Sequence, residues 1–373
     1  MNAMKQMMHR HWPFAVTALA LAFILMAFWL SNQSYLGEEK NGVIAFLENP
    51  FPTFTLVIFG AYVAAFLGNE FRIRMPLSYE PLFLSLAGGF LAGVGAVIAG
   101  LSVYSTVLFN LAGVFTLSAF MMTKGWIYIA CMVVGGAAGS KLLVAILKAG
   151  SLKREICVPE SLIARISQRK VFYALSGVVF LGVAAALLLA GKPELRAGTA
   201  VSVVLLVFFG YVVERGTVCM SSMLKEWFMG RSPQVWRTVL FTVMCLALLY
   251  QLGIIAGFYE PVKAEEYIFS PLLLVLGSFL LGFGFIFADG CFIGSLWKAG
   301  QGNVINMVGI LGLLTGIGMA QVAVRLTGNL STSYGTRIPA DLSTVIGPWW
   351  FLAALWIVGS ALLIVFRERH YIY

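Results

Sequence analysis

Along this chain, apolar runs long enough to cross a bilayer alternate with short polar breaks. The runs lie at about residues 12–30, 53–68, 81–101, 126–146, 171–191, 197–213, 235–257, 270–290, 304–324 and 347–366. A run of about 17 to 25 apolar residues carries a helix across a hydrocarbon core of roughly 30 Å. In that core a helix satisfies its own backbone polar groups, which an open strand cannot do. The pattern predicts an all-α, polytopic membrane protein with about ten transmembrane helices, forming a single membrane domain over residues 1–373. The run from Trp12 to Leu30 has no small-residue cleavage site and is too long for a signal-peptide core, so it reads as a retained extra N-terminal span.

Three stretches do not fit simple spanning: 102–123, 217–230 and 291–303. Each lies between runs that already cross and is too short or too polar to cross alone. They are predicted to be re-entrant half-helices, and irregular backbone at membrane depth is tolerated only around a protein-lined cavity or pathway.

An internal match organises the runs. Shifting the chain by 189 residues brings GGFLAGVGAVIAGLS (88–102) onto GSFLLGFGFIFADGC (277–291), with Gly88, Gly93, Gly95 and Ala99 falling on Gly277, Gly282, Gly284 and Ala288. Loop charge makes the first copy run from inside to outside and the second the reverse. This predicts an inverted repeat, with a first half at about 53–146, a second at about 197–324 and a C-terminal span at 347–366, and places a substrate site between the halves near the midplane. Gly135 and Gly139 have small-residue spacing and are expected to serve only helix packing.

Composition sharpens this picture without changing it. Hydrophobic residues make up 60% of the chain and charged residues 11%, and the mean hydropathy is +0.91, so lipid must solvate most of the surface. The net charge of +9 collects in short loops beside apolar runs, including Arg72 and Arg74 and the stretch from Lys148 to Lys170. That distribution argues against nucleic acid and for cytoplasmic loops, with both termini in the cytoplasm. Five cysteines without paired spacing do not form a disulfide framework.

Candidate chemistry concentrates in two segments, ERGTVCMSSMLKEWFMGR (214–231) and FADGCFIGSLWKAGQGN (287–303). Each sets a cysteine, Cys219 or Cys291, after a polar or glycine break and before a short amphipathic helix. Unpaired N–H groups at a half-helix start favour an anion, and a cysteine there offers soft sulfur. Gly290 precedes Cys291, while Glu214, Arg215, Asp289 and Lys298 are ionisable groups near membrane depth, where charge is expensive and usually functional. Cys131 and Cys245 read as packing residues, and Cys157 falls in the basic loop. His9, His11 and His370 are all terminal, so no span offers haem ligands. There is no phosphate-binding loop, and neither a metal nor an organic cofactor is implied.

The motifs ERGTVCMSS and FADGCFIGS, with FRIRMP (71–76), resemble the YeeE/YedE family of bacterial sulfur-compound transport proteins from about residue 54 to the C-terminus. The extra N-terminal span is similar to the YedE branch, which is associated with selenium metabolism. The resemblance implies a bacterial inner-membrane transporter, not an enzyme, that imports thiosulfate or a related sulfur or selenium anion along cysteines between inverted halves. It carries the cysteine roles to Cys219 and Cys291. In the first half the family's Gly-Cys is replaced by Leu101-Ser102, and Ser102, the repeat partner of Cys291, brings a hydroxyl that hydrogen-bonds an oxyanion but forms no persulfide. The substrate pathway is thus expected at Cys219, Cys291, Ser102, Glu214, Arg215, Asp289, Gly290 and Lys298, with lipid around it. An alternative makes the chain the membrane subunit of a sulfur- or selenium-handling complex that serves a TusA-like cytoplasmic thiol carrier.

Overall fold

The structure, a computed structural model, describes residues 12–34, 50–68, 70–76, 79–99, 123–148, 196–229, 234–256, 268–269, 271–327, 336–337 and 348–365. These residues are helical apart from turns, short irregular segments such as 70–76, the isolated pairing of Arg74 with Asn303, and a two-residue antiparallel pairing of Ile268–Phe269 with Thr336–Arg337.

The helices are α1 (Phe14–Ser34), α2 (Pro50–Leu67), α3 (Glu80–Ile98), α4 (Thr123–Lys148), α5 (Arg196–Arg215), α6 (Met220–Met229), α7 (Gln234–Ile255), α8 (Pro271–Phe287), α9 (Phe292–Gly300), α10 (Val304–Thr327) and α11 (Pro348–Val365). Prolines start several of them. Pro50, Pro271 and Pro348 are first residues, and Pro81 stands in the first turn of α3, where a missing N–H leaves no hydrogen bond unmade. Every expected span except 171–191, which lies outside the described residues, falls on one of these helices.

Six stretches among the described residues are long and apolar enough to cross a membrane: Glu80–Ile98, Trp126–Ile146, Val203–Lys225, Val235–Gly253, Pro271–Gly300 and Val304–Val324. Phe14–Ala27, Phe54–Leu67 and Leu352–Ile364 are shorter apolar helices. Two of the three interrupted stretches are present as short separate helices. At about 1.5 Å per residue, the 10-residue α6 and the 9-residue α9 reach only part-way across a bilayer. Of the third, 102–123, residues 102–122 lie outside the described residues and Thr123 begins α4.

Small residues let the central helices approach backbone to backbone. α3 and α8 are antiparallel: Gly88 lies against Gly284 and Ala288, while Gly95 lies against Gly277 and Leu281. A methyl at Gly95 would fall 2.6 Å from the carbonyl of Gly277, and one at Gly277 would fall 2.6 Å from that of Gly95. α10 flanks α3 in the parallel sense, with Gly312 on Leu86 and Gly316 on Phe90, and α4 flanks α8 in the same manner, with Gly135 on Phe279 and Gly139 on Ile286. The expected packing role of Gly135 and Gly139 is what the backbone contacts describe.

α2 and α5 cross at Gly60 and Gly210, each glycine against the other helix's backbone, at Val207 and Val57 respectively. Their C-terminal ends lie together, because Arg215 at the end of α5 donates to the carbonyl of Ala64 and abuts Gly68. Helix α9 lies along α2, its Phe292 ring 4.8 Å from that of Phe54 and its Gly300 against Ile58 and Ala61. The FRIRMP segment clamps the end of α9. Arg72 donates its N–H to Gln301 at 3.2 Å, Arg74 donates to Gly302 at 2.9 Å, and Val304 donates back to Arg74 at 3.1 Å. Gly302 takes φ +92 there, a left-handed conformation that suits glycine.

Candidate functional site

The two cysteine segments share one local construction. Thr217 and Asp289, each two residues before its cysteine, are the non-glycine residues with positive φ, 51° and 54°, among the described residues. Holding such residues left-handed costs about 1–3 kcal/mol each and persists only where surrounding contacts enforce it. The turn re-aims the chain, so that Cys219 immediately precedes α6 and Cys291 immediately precedes α9.

Cys291 is the N-cap of α9. Its sulfur accepts the N–H of Gly294 at 3.1 Å and also that of Met220, the first residue of α6, at 3.1 Å. The Cys219 sulfur lies close by, across the same Gly294. Both thiols are free and almost wholly buried, at 0% and 1% exposure. The starts of two half-helices and two sulfurs therefore meet at one point. Gly294 makes room for them: a side chain there would run into the Cys219 sulfur and come within 3.3 Å of that of Cys291.

Side-chain bonds lock the surrounding frame. Trp297 of α9 donates to the carbonyl of Val218 at 2.9 Å, Ser221 donates to Phe285 at 2.8 Å, and Trp236 donates to Met223 at 2.7 Å. Ser85 of α3 bridges the carbonyls of Ala288 and Ile305 at 3.1 and 2.8 Å. Cys291 also borders a cavity of about 40 Å³ lined by apolar side chains such as Leu21, Leu25, Phe209, Val213 and Val239. That is room for a few water-sized groups.

The charged candidates divide into two clusters. In the first, Asp289 lies between two lysines. Lys225 of α6 donates to its Oδ1 at 2.6 Å, while Lys298 of α9 stands 3.6 Å from Oδ2 and donates to its backbone carbonyl. In the second, Arg215 and Glu214, both 0% exposed, pair at 3.1 Å. Arg215 also stands 3.7 Å from Glu70, and Gln301, the C-cap of α9, donates to Glu214 at 3.0 Å. This cluster ties the ends of α2, α5 and α9 together.

Gly290 is buried against Ser295 and Asn306, with no space for a methyl. Ser102 lies outside the described residues. Cys245 sits in an apolar cluster with Ala22, Met26 and Leu246, and Cys131 is half-buried on α4.

Sequence reasoning missed Lys225, Gln301 and Asn306. Asn306, fully buried on α10, has both side-chain polar atoms without a hydrogen-bond partner among the described residues, and its Oδ1 faces Gly290. An unmade bond at such a group is costly enough to mark it. The clue was available as a run of polar residues, Gln301, Asn303 and Asn306, inside an apolar stretch. Among the described residues no group of three or more His, Cys, Asp or Glu side chains gathers as a metal site.

Residues 215–372 match the family described as sulphur transport. The match covers less than half of the chain. Cys219, Cys291 and both half-helices fall within it, as do Asp289 and the two lysines. The chain is also 26% identical over 251 residues to a protein of Salmonella typhimurium named "Probable transporter YedE", and 25% identical over 250 residues to the Escherichia coli protein of that name. Each alignment covers 66% of this chain and 58% of the relative, so the chain spans less than two thirds of the length of the relatives it matches. The YeeE/YedE likeness read from the cysteine motifs stands on these matches. Six stretches long and apolar enough to cross a membrane among the described residues, together with the YedE relatives, mark a multi-pass membrane protein.

Proposed function

We propose that this protein is an inner-membrane transporter that imports a small sulfur- or selenium-containing anion, thiosulfate foremost, past Cys219 and Cys291. The observation that carries the reading is the double capping of one sulfur: N–H groups from two half-helices converge on Cys291, and a second thiol lies close by across Gly294. An anion with a soft terminal sulfur and hard oxygens matches that set. The thiols meet the polarisable atom, and the half-helix N–H groups and the carboxamide of Asn306 are donors for the oxygens. The name of the YedE relatives, "Probable transporter", supports the transporter class.

The same reading places the site between inverted halves. Gly88 meets Gly284 and Ala288, and their counterparts 189 positions away, Gly277, Gly95 and Ala99, meet each other in the same way. Likewise Gly316 packs on Phe90 as Gly135 packs on Phe279. This reciprocity supports a two-fold relation between α3 with α4 and α8 with α10. The clamp of α9 by Arg72 and Arg74, a basic loop, supports a cytoplasmic location for that end of the half-helix.

Burying an anion in such a site costs several kcal/mol per ion, whereas one helix start returns only about 0.3–1 kcal/mol and up to about 2 in partly buried geometries. Fixed positive charge near the thiols is therefore required. Uptake of thiosulfate into proteoliposomes, with sulfate as competitor, tests the proposal. Saturable uptake that excess sulfate blocks only weakly is the expected result, and the absence of uptake would overturn it.

A further inference from the structure

From the Lys225–Asp289–Lys298 cluster, we infer that the two lysines form a binding site for a doubly charged oxyanion near the thiols, with Asp289 as a built-in stand-in that the substrate displaces. The inference rests on the transport reading for its ligand, but its geometry is separate from the thiols.

Three observations carry it. The lysines come from the two half-helices whose starts meet at Cys291, and their side chains are only 16% and 17% exposed, while the carboxylate between them is 49% exposed. The cations are thus sunk in the protein, and the group that neutralises them is the accessible one. Second, the charges do not balance among the described residues. Two ammonium groups face one carboxylate, and a dianion in its place would neutralise both. Third, Asp289 is held in the left-handed region at φ 54, and Lys298 donates to the backbone carbonyl of that same residue. A residue in this conformation two positions before Cys291 is one whose displacement the thiol site would feel.

The chemistry gives a selectivity rule. A monoanion would only replace one negative charge with another, whereas a tetrahedral dianion brings both the charge and the oxygens that two ammonium groups can share.

The test is a titration of detergent-purified, full-length protein with thiosulfate and, separately, with thiocyanate as a monoanion, read as protection against thermal unfolding. Thiosulfate is expected to protect and thiocyanate not to, at equal ionic strength. Asp289→Asn keeps the side chain's shape and removes its charge, so half-saturating thiosulfate should fall about tenfold, and thiocyanate should begin to protect. Lys225→Gln should raise half-saturation about tenfold, with Lys225→Arg restoring most of the loss. Half-saturation unchanged in both Asp289→Asn and Lys225→Gln, beside normal uptake by the unmodified protein, would overturn the binding site and leave the transport reading intact. The expected shifts without uptake by the unmodified protein would overturn the transport reading and uphold the binding site.

Discussion

The sulfur of Cys291 accepts the N–H of Met220 at 3.1 Å, although 71 residues separate them along the chain. Met220 is the first residue of the helix that follows Cys219, so this bond joins the start of one half-helix to the cap of the other. Neither thiol can shift without disturbing both segments.

Gly294 leaves the space in which the two sulfurs meet. Gly294→Ala would place a methyl against both, and it is expected to lower thiosulfate uptake at least about tenfold, consistent with overpacking that costs about 1–3 kcal/mol. Thermal unfolding in detergent should remain cooperative. Uptake at the unmodified level would show that the space between the thiols is not used.

Arg215 is predicted to be a fastener. It is fully buried, bonded to Ala64 and paired with Glu214 and Glu70. Arg215→Met leaves Glu214 buried without its cation and should destabilise the protein by about 3–5 kcal/mol. Glu214→Gln, which keeps a hydrogen-bonding group toward Gln301, should cost less. Chemical unfolding of the two variants in mixed micelles gives the comparison, and equal losses would contradict the fastening role.

The reciprocal seam between α3 and α8 makes a paired prediction. Gly88→Ala and Gly277→Ala place methyls against corresponding backbone atoms of the opposite helix. Both are expected to reduce stability by about 1–3 kcal/mol, within about 1 kcal/mol of each other. A large loss from one and none from the other would argue against a two-fold relation.

The helices were legible because lipid demands long apolar runs, and periodicity plays little part in finding them. The half-helices were legible for the opposite reason: Glu214-Arg215-Gly216-Thr217 and Asp289-Gly290 interrupt runs that would otherwise continue. The convergence of Cys219 on Cys291 could not be read, because it depends on the turns at Thr217 and Asp289 and on packing between α6 and α9. For the same reason Arg215 and Lys298 looked equivalent as candidate cations. The fold places Arg215 with Glu214 at the ends of α2, α5 and α9, whereas Lys298 reaches back toward the start of its own helix. Lys225 looked like one charge on an amphipathic helix, and only its partner Asp289 gives it meaning.

The central claim is that the substrate passes the paired thiols. The most direct measurement compares thiosulfate uptake by proteoliposomes carrying Cys219→Ala, Cys291→Ala or Cys245→Ala at matched protein density. Uptake lost in the first two and kept in the third, with all three folded, is the predicted result. Uptake retained in both Cys219→Ala and Cys291→Ala would contradict it.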